Sequence, residues 1–306
     1  MQSRVFIATA RPAGIAIVAL LCLLAGVYPV AAPAQPTMPP VADPPTLRHI
    51  PGKFVWFELV TGSPEAARRF YGSVFGWKYE QVSGAAENYA VIRNQTRVIG
   101  GVFRPALPAG QSVGARWLSY ASAADLALTV KLMSAGGAAV LVAPTRIAGR
   151  GTHALLRDSQ GAIVGLLQSD SGDPPDDPVA PGEFFWVDLY ARDPAAAARA
   201  YRELDFDVFA DDVSGDDRLL LSSNGIARAG IMRMPPDGGD PSWLPYVLVD
   251  DVPTTLARVK AGGGKVLRAP DPAVLDGQLA VFADPQGAVL GILRWPLAAS
   301  GEGSRP

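Results

Sequence analysis

The chain has 306 residues, room for about two domains. Apolar residues make up 49% and charged residues 18%, the balance of a globular protein with ample core material. The formal net charge is −2 and no Lys/Arg cluster occurs, which excludes the electrostatic footprint of a nucleic-acid-binding protein.

Residues 1–34 read as an export signal. Arg4 and Arg11 supply a positive start without acidic residues, an apolar run follows from Ile15 to Val30, and Ala32-Pro33-Ala34 offers a small-x-small cleavage pattern. The run is short for a membrane span of ~20 residues. A cleaved signal is therefore expected, giving an exported, periplasmic or secreted protein with no membrane span after cleavage; an uncleaved anchor is the alternative. The single cysteine, Cys22, lies inside this run, so the mature chain has no disulfide to form and no thiol nucleophile or ligand.

Residues 35–52 carry six prolines, which predicts an extended, poorly packed tether. Ser169–Gly182 is a second Pro/Asp/Gly-rich stretch and reads as a linker, and residues 297–306 read as a flexible tail. Two blocks remain, 53–168 and 183–296. Phe54–Val60 opens the first and Phe184–Tyr190 the second, both β-rich. Ser63-Pro64 and Asp193-Pro194 then place an N-cap residue before a proline at the first helical position. Short strands follow at Lys78–Val82, Tyr89–Arg93 and Val98–Phe103. Their counterparts are Val208–Asp211, Arg218–Ser222 and Ala227–Met232. A second round opens at Trp117–Ser122 or Leu244–Val249. Its helix, Leu126–Ala135 or Val252–Ala261, ends at a glycine pair, a natural C-terminal signal, and three more strands close each block.

The blocks are repeats. At an offset of 130, Trp56 aligns with Trp186, Glu58 with Asp188 and Tyr71 with Tyr201. At an offset of 126, Trp117 aligns with Trp243, Tyr120 with Tyr246, Asp158 with Asp284 and Gly165 with Gly291. Each block is thus α+β: a pair of βαβββ units forming a curved, mostly antiparallel sheet around a cleft. The tandem chain is expected to behave as an internal pseudo-dimer, with further oligomerisation open.

Trp56-Phe-Glu-Leu-Val, Ser63-Pro-Glu-Ala-Ala-Arg-Arg-Phe-Tyr71, Trp186-Val-Asp-Leu-Tyr and the closing turn Asp284-Pro-Gln-Gly carry a family resemblance. The chain resembles the vicinal-oxygen-chelate superfamily of glyoxalases, bleomycin-resistance proteins and dioxygenases, in its tandem two-domain, glyoxalase-like form of the mycobacterial antigen type. The resemblance implies a divalent metal held by His, Gln or Glu in the cleft. Carried over by motif, the first-strand ligand position falls on Trp56 and Trp186. The last-strand position falls on Gly165 and Gly291, and the fifth-strand position near Leu118 and Leu244. Such side chains cannot coordinate a cation, so no metal and no other cofactor is expected. Metal-dependent glyoxalase or extradiol chemistry is disfavoured with it. Of the two histidines, His49 lies in the tether and His153 on a strand without partner ligands nearby.

Alternation along strands places Glu58 on the face of Trp56, Asp188 and Tyr190 on the face of Trp186, Tyr120 with Leu118, and Tyr246 with Leu244. Gly165 and Gly291 are expected to leave a gap on the last strands. A cleft of this make-up suits a small aromatic or apolar molecule carrying one or two polar groups. The expected function is binding of such a small-molecule ligand in metal-free clefts. The alternative is a metal-independent, hydroxylase- or lyase-like enzyme in which Glu58 or Asp188 acts as acid or base with Tyr120 or Tyr246.

Overall fold

A computed structural model describes residues 37–82, 89–108, 113–210, 218–236 and 238–295. The expected signal, the first two residues of the expected tether and the expected tail lie outside the described residues.

The first block folds as β1 (Phe54–Val60), α1 (Pro64–Phe75), β2 (Lys78–Gln81), β3 (Tyr89–Asn94) and β4 (Arg97–Phe103). It continues as β5 (Arg116–Ser122), α2 (Leu126–Ala135), β6 (Ala139–Ile147), β7 (Gly151–Arg157) and β8 (Ile163–Ser169). The second repeats the series: β9 (Phe184–Ala191), α3 (Pro194–Tyr201), β10 (Asp207–Ala210), β11 (Leu219–Ser223) and β12 (Ile226–Arg233). Then come β13 (Ser242–Leu248), α4 (Val252–Ala261), β14 (Lys265–Arg268), β15 (Leu279–Ala283) and β16 (Val289–Leu293). Each block is one eight-stranded sheet, ordered β2-β3-β4-β1-β5-β8-β7-β6 and β10-β11-β12-β9-β13-β16-β15-β14. The two βαβββ units meet at the antiparallel β1–β5 and β9–β13 pairs, while β1–β4 and β5–β8 run parallel.

Helices α2 and α4 have the bounds their sequence signals predict. Asp125 and Asp251 cap them through backbone N–H groups of Leu128 and Thr254, and Asp193 caps α3 in the same way. Ser63 stands before α1 without a side-chain cap bond.

Period-two patterning sorts the side chains. Phe57, Leu59, Trp117, Val187, Leu189 and Trp243 enter one core that runs continuously through both domains. Trp56, Val60, Leu118 and Tyr120 line the cleft face of the first sheet, and Trp186, Tyr190, Leu244 and Tyr246 that of the second. Phe57 stacks on Phe184 at 4.0 Å between centroids, and Trp77 Nε1 donates to Gly182 O at 2.7 Å. The domains therefore share buried apolar surface and are not strung on a free linker. No helix among the described residues is long and apolar enough to cross a membrane.

The loose tether that composition predicts over 35–52 is not what residues 37–52 form. Met38 N donates to Ala148 O (2.8 Å), Ala42 N to Ser171 Oγ (3.0 Å) and Leu47 N to Ser171 O (2.9 Å). Val41 packs into the cleft-side apolar cluster of the first sheet, and Ala42 is buried. Proline removes donors and prevents regular strand pairing, but the N–H groups that remain find carbonyl and hydroxyl partners on the first domain. The segment is an arm lying across that domain.

Candidate functional site

In the first cleft, β1 and β5 are in register with Trp56 opposite Tyr120 and Glu58 opposite Leu118. Glu58 is buried and its carboxylate is surrounded by donors. Trp56 Nε1 reaches Oε1 at 3.0 Å, the Tyr89 hydroxyl reaches Oε1 at 2.9 Å, and the Tyr120 hydroxyl reaches Oε2 at 2.8 Å. Arg150, from the turn between β6 and β7, closes the cluster. Its Nη1 lies 3.6 Å from Glu58 Oε1 and 2.9 Å from the Tyr89 hydroxyl, and its guanidinium lies over the Trp56 ring at 3.7 Å. Pro39 O, from the arm, accepts from Arg150 Nε and Nη2 at 3.4 Å each. Arg150 is only 2% exposed and Trp56 only 3%. Burial first, then the Glu58 charge, pushes the Tyr89 and Tyr120 hydroxyls well above the usual phenol range, so both serve as O–H donors. His153 stacks beside the Tyr120 ring, its pKa lowered mainly by burial. This cleft is filled by its own side chains.

The gap expected at the last strands is filled too. Tyr120 pairs in register with Gly165, and Tyr246 with Gly291. A Cβ on Gly165 would lie 2.2 Å from Tyr120 Cδ1, and one on Gly291 2.0 Å from Tyr246 Cδ1. The tyrosine rings lie flat over the glycines, and any side chain there would displace them.

The second cleft departs from the first at each of these points. Asp188 is one methylene shorter than Glu58; its Oδ1 accepts from Trp186 Nε1 (2.8 Å) and from Arg218 Nη2 (3.2 Å). Arg218 thus takes the part that Tyr89 plays in the first cleft. The position matching Arg150 is Asp276, which is exposed; over the Trp186 ring lies instead the Arg218 guanidinium, more distant at 5.7 Å from the centroid. Tyr190 replaces Val60, and its hydroxyl meets that of Tyr246 at 3.3 Å. Arg268, at the register position of Val142, lies against the Tyr190 hydroxyl. Burial, then the Asp188 charge, raises the pKa of both Tyr190 and Tyr246. Phe185, Trp186 and Tyr190 are half-buried, and Trp295, beside Phe185, is 50% exposed.

The sequence profile of the glyoxalase/bleomycin resistance protein/dioxygenase superfamily matches residues 53–165 and again 183–292. The chain belongs to this superfamily. The protein named "Putative glyoxylase CFP32", from Mycobacterium tuberculosis, is 27% identical over 243 residues, covering 78% of this chain and 93% of that protein. The anthracycline biosynthesis protein DnrV of Streptomyces peucetius is 33% identical over 132 residues, 38% of this chain and 48% of that protein. Among solved structures, the Mn(II)-bound glyoxalase of Novosphingobium aromaticivorans superposes with a TM-score of 0.56 at 16% identity. The superposition covers 81% of this chain and 83% of that one, a likeness of fold.

The residues do not fit the divalent ion that the superfamily implies. The matched positions carry indole, isobutyl and hydrogen side chains, and an indole N–H is a donor only. In the first cleft a guanidinium already lies over the indole and faces the carboxylate. Among the described residues no group of three or more His, Cys, Asp or Glu is placed to hold a metal ion. Two surface depressions, of about 330 and 170 Å³, lie outside both clefts, at the junction of α1 with α4 and of α1 with the linker.

All the residues that alternation assigns to the clefts are brought to the cleft faces. Leu118 and Leu244 are buried there as apolar floor. Sequence reasoning missed Arg150, Tyr89, Arg218 and Arg268. The one local hint was an arginine set between two glycines, Gly149 and Gly151, at the turn of the β6–β7 hairpin.

Proposed function

We propose that this superfamily member is an exported protein that binds a small aromatic molecule in its second-domain cleft without a metal, the first-domain cleft being a closed structural copy. The observation that carries the reading is the contrast between the two equivalent tryptophans. Trp56 is 3% exposed beneath Arg150 and the N-terminal arm, whereas Trp186 is half-buried beside the half-buried Phe185 and Tyr190. An accessible aromatic wall with a few polar groups is the usual make-up of a small-molecule site. Export rests on the N-terminal segment; mass analysis of the purified extracellular or periplasmic chain tests whether it begins at Gln35.

Binding is tested by calorimetric titration with a panel of aromatic small molecules. Trp186→Ala should abolish binding and Trp56→Phe should leave affinity unchanged. The reverse pattern would move the site to the first cleft and overturn this reading.

A second reading is favoured by the convergence of Asp188, Tyr190 and Tyr246 on one cleft, and by relatives whose names denote a glyoxylase and a biosynthetic protein. In it, the second cleft catalyses a metal-independent reaction with Asp188 and Tyr246 moving protons. Asp188→Asn and Tyr246→Phe would then remove turnover and leave affinity intact.

A further inference from the structure

The two clefts differ in how their charges are balanced. In the first, the Arg150 guanidinium faces the Glu58 carboxylate, and both are buried. In the second, the carboxylate of Asp188 is engaged by Trp186 and Arg218. Arg268 is a further cation, brought in by β14 at a position where the first cleft has Val142. Arg268 is half-buried as a residue, its guanidinium lies against the Tyr190 hydroxyl, and it forms no ion pair with a carboxylate among the described residues. Tyr190, which replaces Val60, adds a hydroxyl beside that of Tyr246. The Tyr246 hydroxyl is engaged by Tyr190 and Asp188, which leaves Arg268 and the O–H of Tyr190 as the donors not taken up by the Asp188 carboxylate.

We infer that the second cleft selects aromatic molecules bearing an anionic group, a carboxylate, sulfonate or acidic enol, seated on Arg268 and the Tyr190 hydroxyl while the ring lies along Trp186. The inference rests on the reading of the second cleft as the binding site and specifies the charge of its ligand. The first cleft illustrates the chemistry internally: Glu58 is a carboxylate held by a guanidinium, an indole N–H and two tyrosine hydroxyls. The second cleft keeps the indole N–H and the tyrosine of β13, puts Arg218 on its own carboxylate, and carries a second cation, Arg268, beside Tyr190. A charge-assisted bond to the guanidinium of a half-buried arginine is strong enough to discriminate against a neutral analogue of the same shape by about tenfold or more.

The test compares two dyes with one aromatic frame, anilinonaphthalene sulfonate and its uncharged counterpart N-phenylnaphthylamine, by fluorescence titration of the mature chain. The sulfonate dye should bind at least about tenfold more tightly. Arg268→Met, which keeps the apolar stem, should remove that preference without changing affinity for the neutral dye, and naphthoate should displace the sulfonate dye more effectively than naphthamide. Equal affinity for the two dyes, or a preference that survives Arg268→Met, overturns the charge assignment. If Trp186→Ala changes neither titration, the dyes bind elsewhere and the second cleft itself is wrong as the site. Thermal melts of both variants separate loss of the site from loss of the fold.

Discussion

The hydroxyl of Tyr71, on α1 of the first domain, donates to Oδ2 of Asp284 in the closing turn of the second, at 3.2 Å. The repeat returns the bond: the Tyr201 hydroxyl donates to Asp158 Oδ2 at 3.0 Å. Each tyrosine also accepts from a buried indole, Trp117 Nε1 at 3.0 Å and Trp243 Nε1 at 2.8 Å. Each aspartate meanwhile holds its own turn through Oδ1, to the N–H groups of Gln160, Gly161 and Ala162 or of Gln286 and Ala288. Residues repeated for local reasons thus also join the domains reciprocally.

Tyr71→Phe leaves a buried carboxylate oxygen and an indole N–H without their partner. Each such orphan costs ~1–3 kcal/mol, so a loss of several kcal/mol in urea unfolding is expected. Tyr201→Phe should cost a similar amount by pseudo-symmetry. A change of less than ~0.5 kcal/mol for either would mean that the bridge contributes nothing net.

Arg150→Met removes the cation from a buried carboxylate cluster, and losing one partner of such a pair typically costs ~3–5 kcal/mol. Adding Glu58→Gln removes the charge left behind. The double variant should therefore be more stable than Arg150→Met alone, and denaturation of the full cycle measures the coupling. Simple additivity of the two losses would contradict the pairing.

Gly291→Ala forces a methyl group into the Tyr246 ring, since the added Cβ would lie 2.0 Å from Cδ1. Overpacking of this kind costs ~1–3 kcal/mol. Tyr246→Leu made in the same chain should relieve the clash, so the double variant should melt at a higher temperature than the sum of the single effects predicts. No such rescue would place the strain in the backbone instead.

Asp176 in the linker joins the domains electrostatically. It meets Lys53 Nζ, just before β1, at 2.7 Å and Arg228, on β12, through both oxygens. The Arg228 guanidinium, then Lys53, holds its carboxyl down at about 2. A carboxyl depressed in the native state adds stability above its unfolded pKa of about 4 and loses it as the pH falls toward about 2. The group is largely exposed, so screening keeps the contribution to ~1 kcal/mol or less. The stability gap between the parent and Asp176→Asn should therefore close between about pH 4 and pH 2, and narrow in high salt. A gap independent of pH in that window would sink the ion-pair account.

Much of the architecture was legible in the sequence because its causes are local. The Gly pair after each apolar helix marked the ends of α2 and α4, and alternation separated Trp56 from Phe57 and Trp117 from Leu118. The cleft side chains were legible for the same reason. Their accessibility was not. Whether Trp56 faces a ligand or an internal guanidinium depends on Arg150, 94 positions away, and on Pro39 from a segment whose composition suggested a tether. The glycines at 165 and 291 read as gaps because nothing in their neighbourhood announces the tyrosine ring that occupies the space.

The sequence by itself determined the order of strands and helices, the tandem repeat, the superfamily, and the face to which each strand residue points. Those follow from side-chain period, turn chemistry and capping, which act over a few residues. Only the tertiary structure decided that Trp56 lies buried beneath Arg150 while Trp186 is half-buried, that Tyr71 and Asp284 link the domains, and that Arg268 stands beside Tyr190. These depend on space filling and charge pairing between residues distant along the chain. Two copies of one pattern can then fill their clefts differently through a handful of substitutions that leave the pattern unchanged.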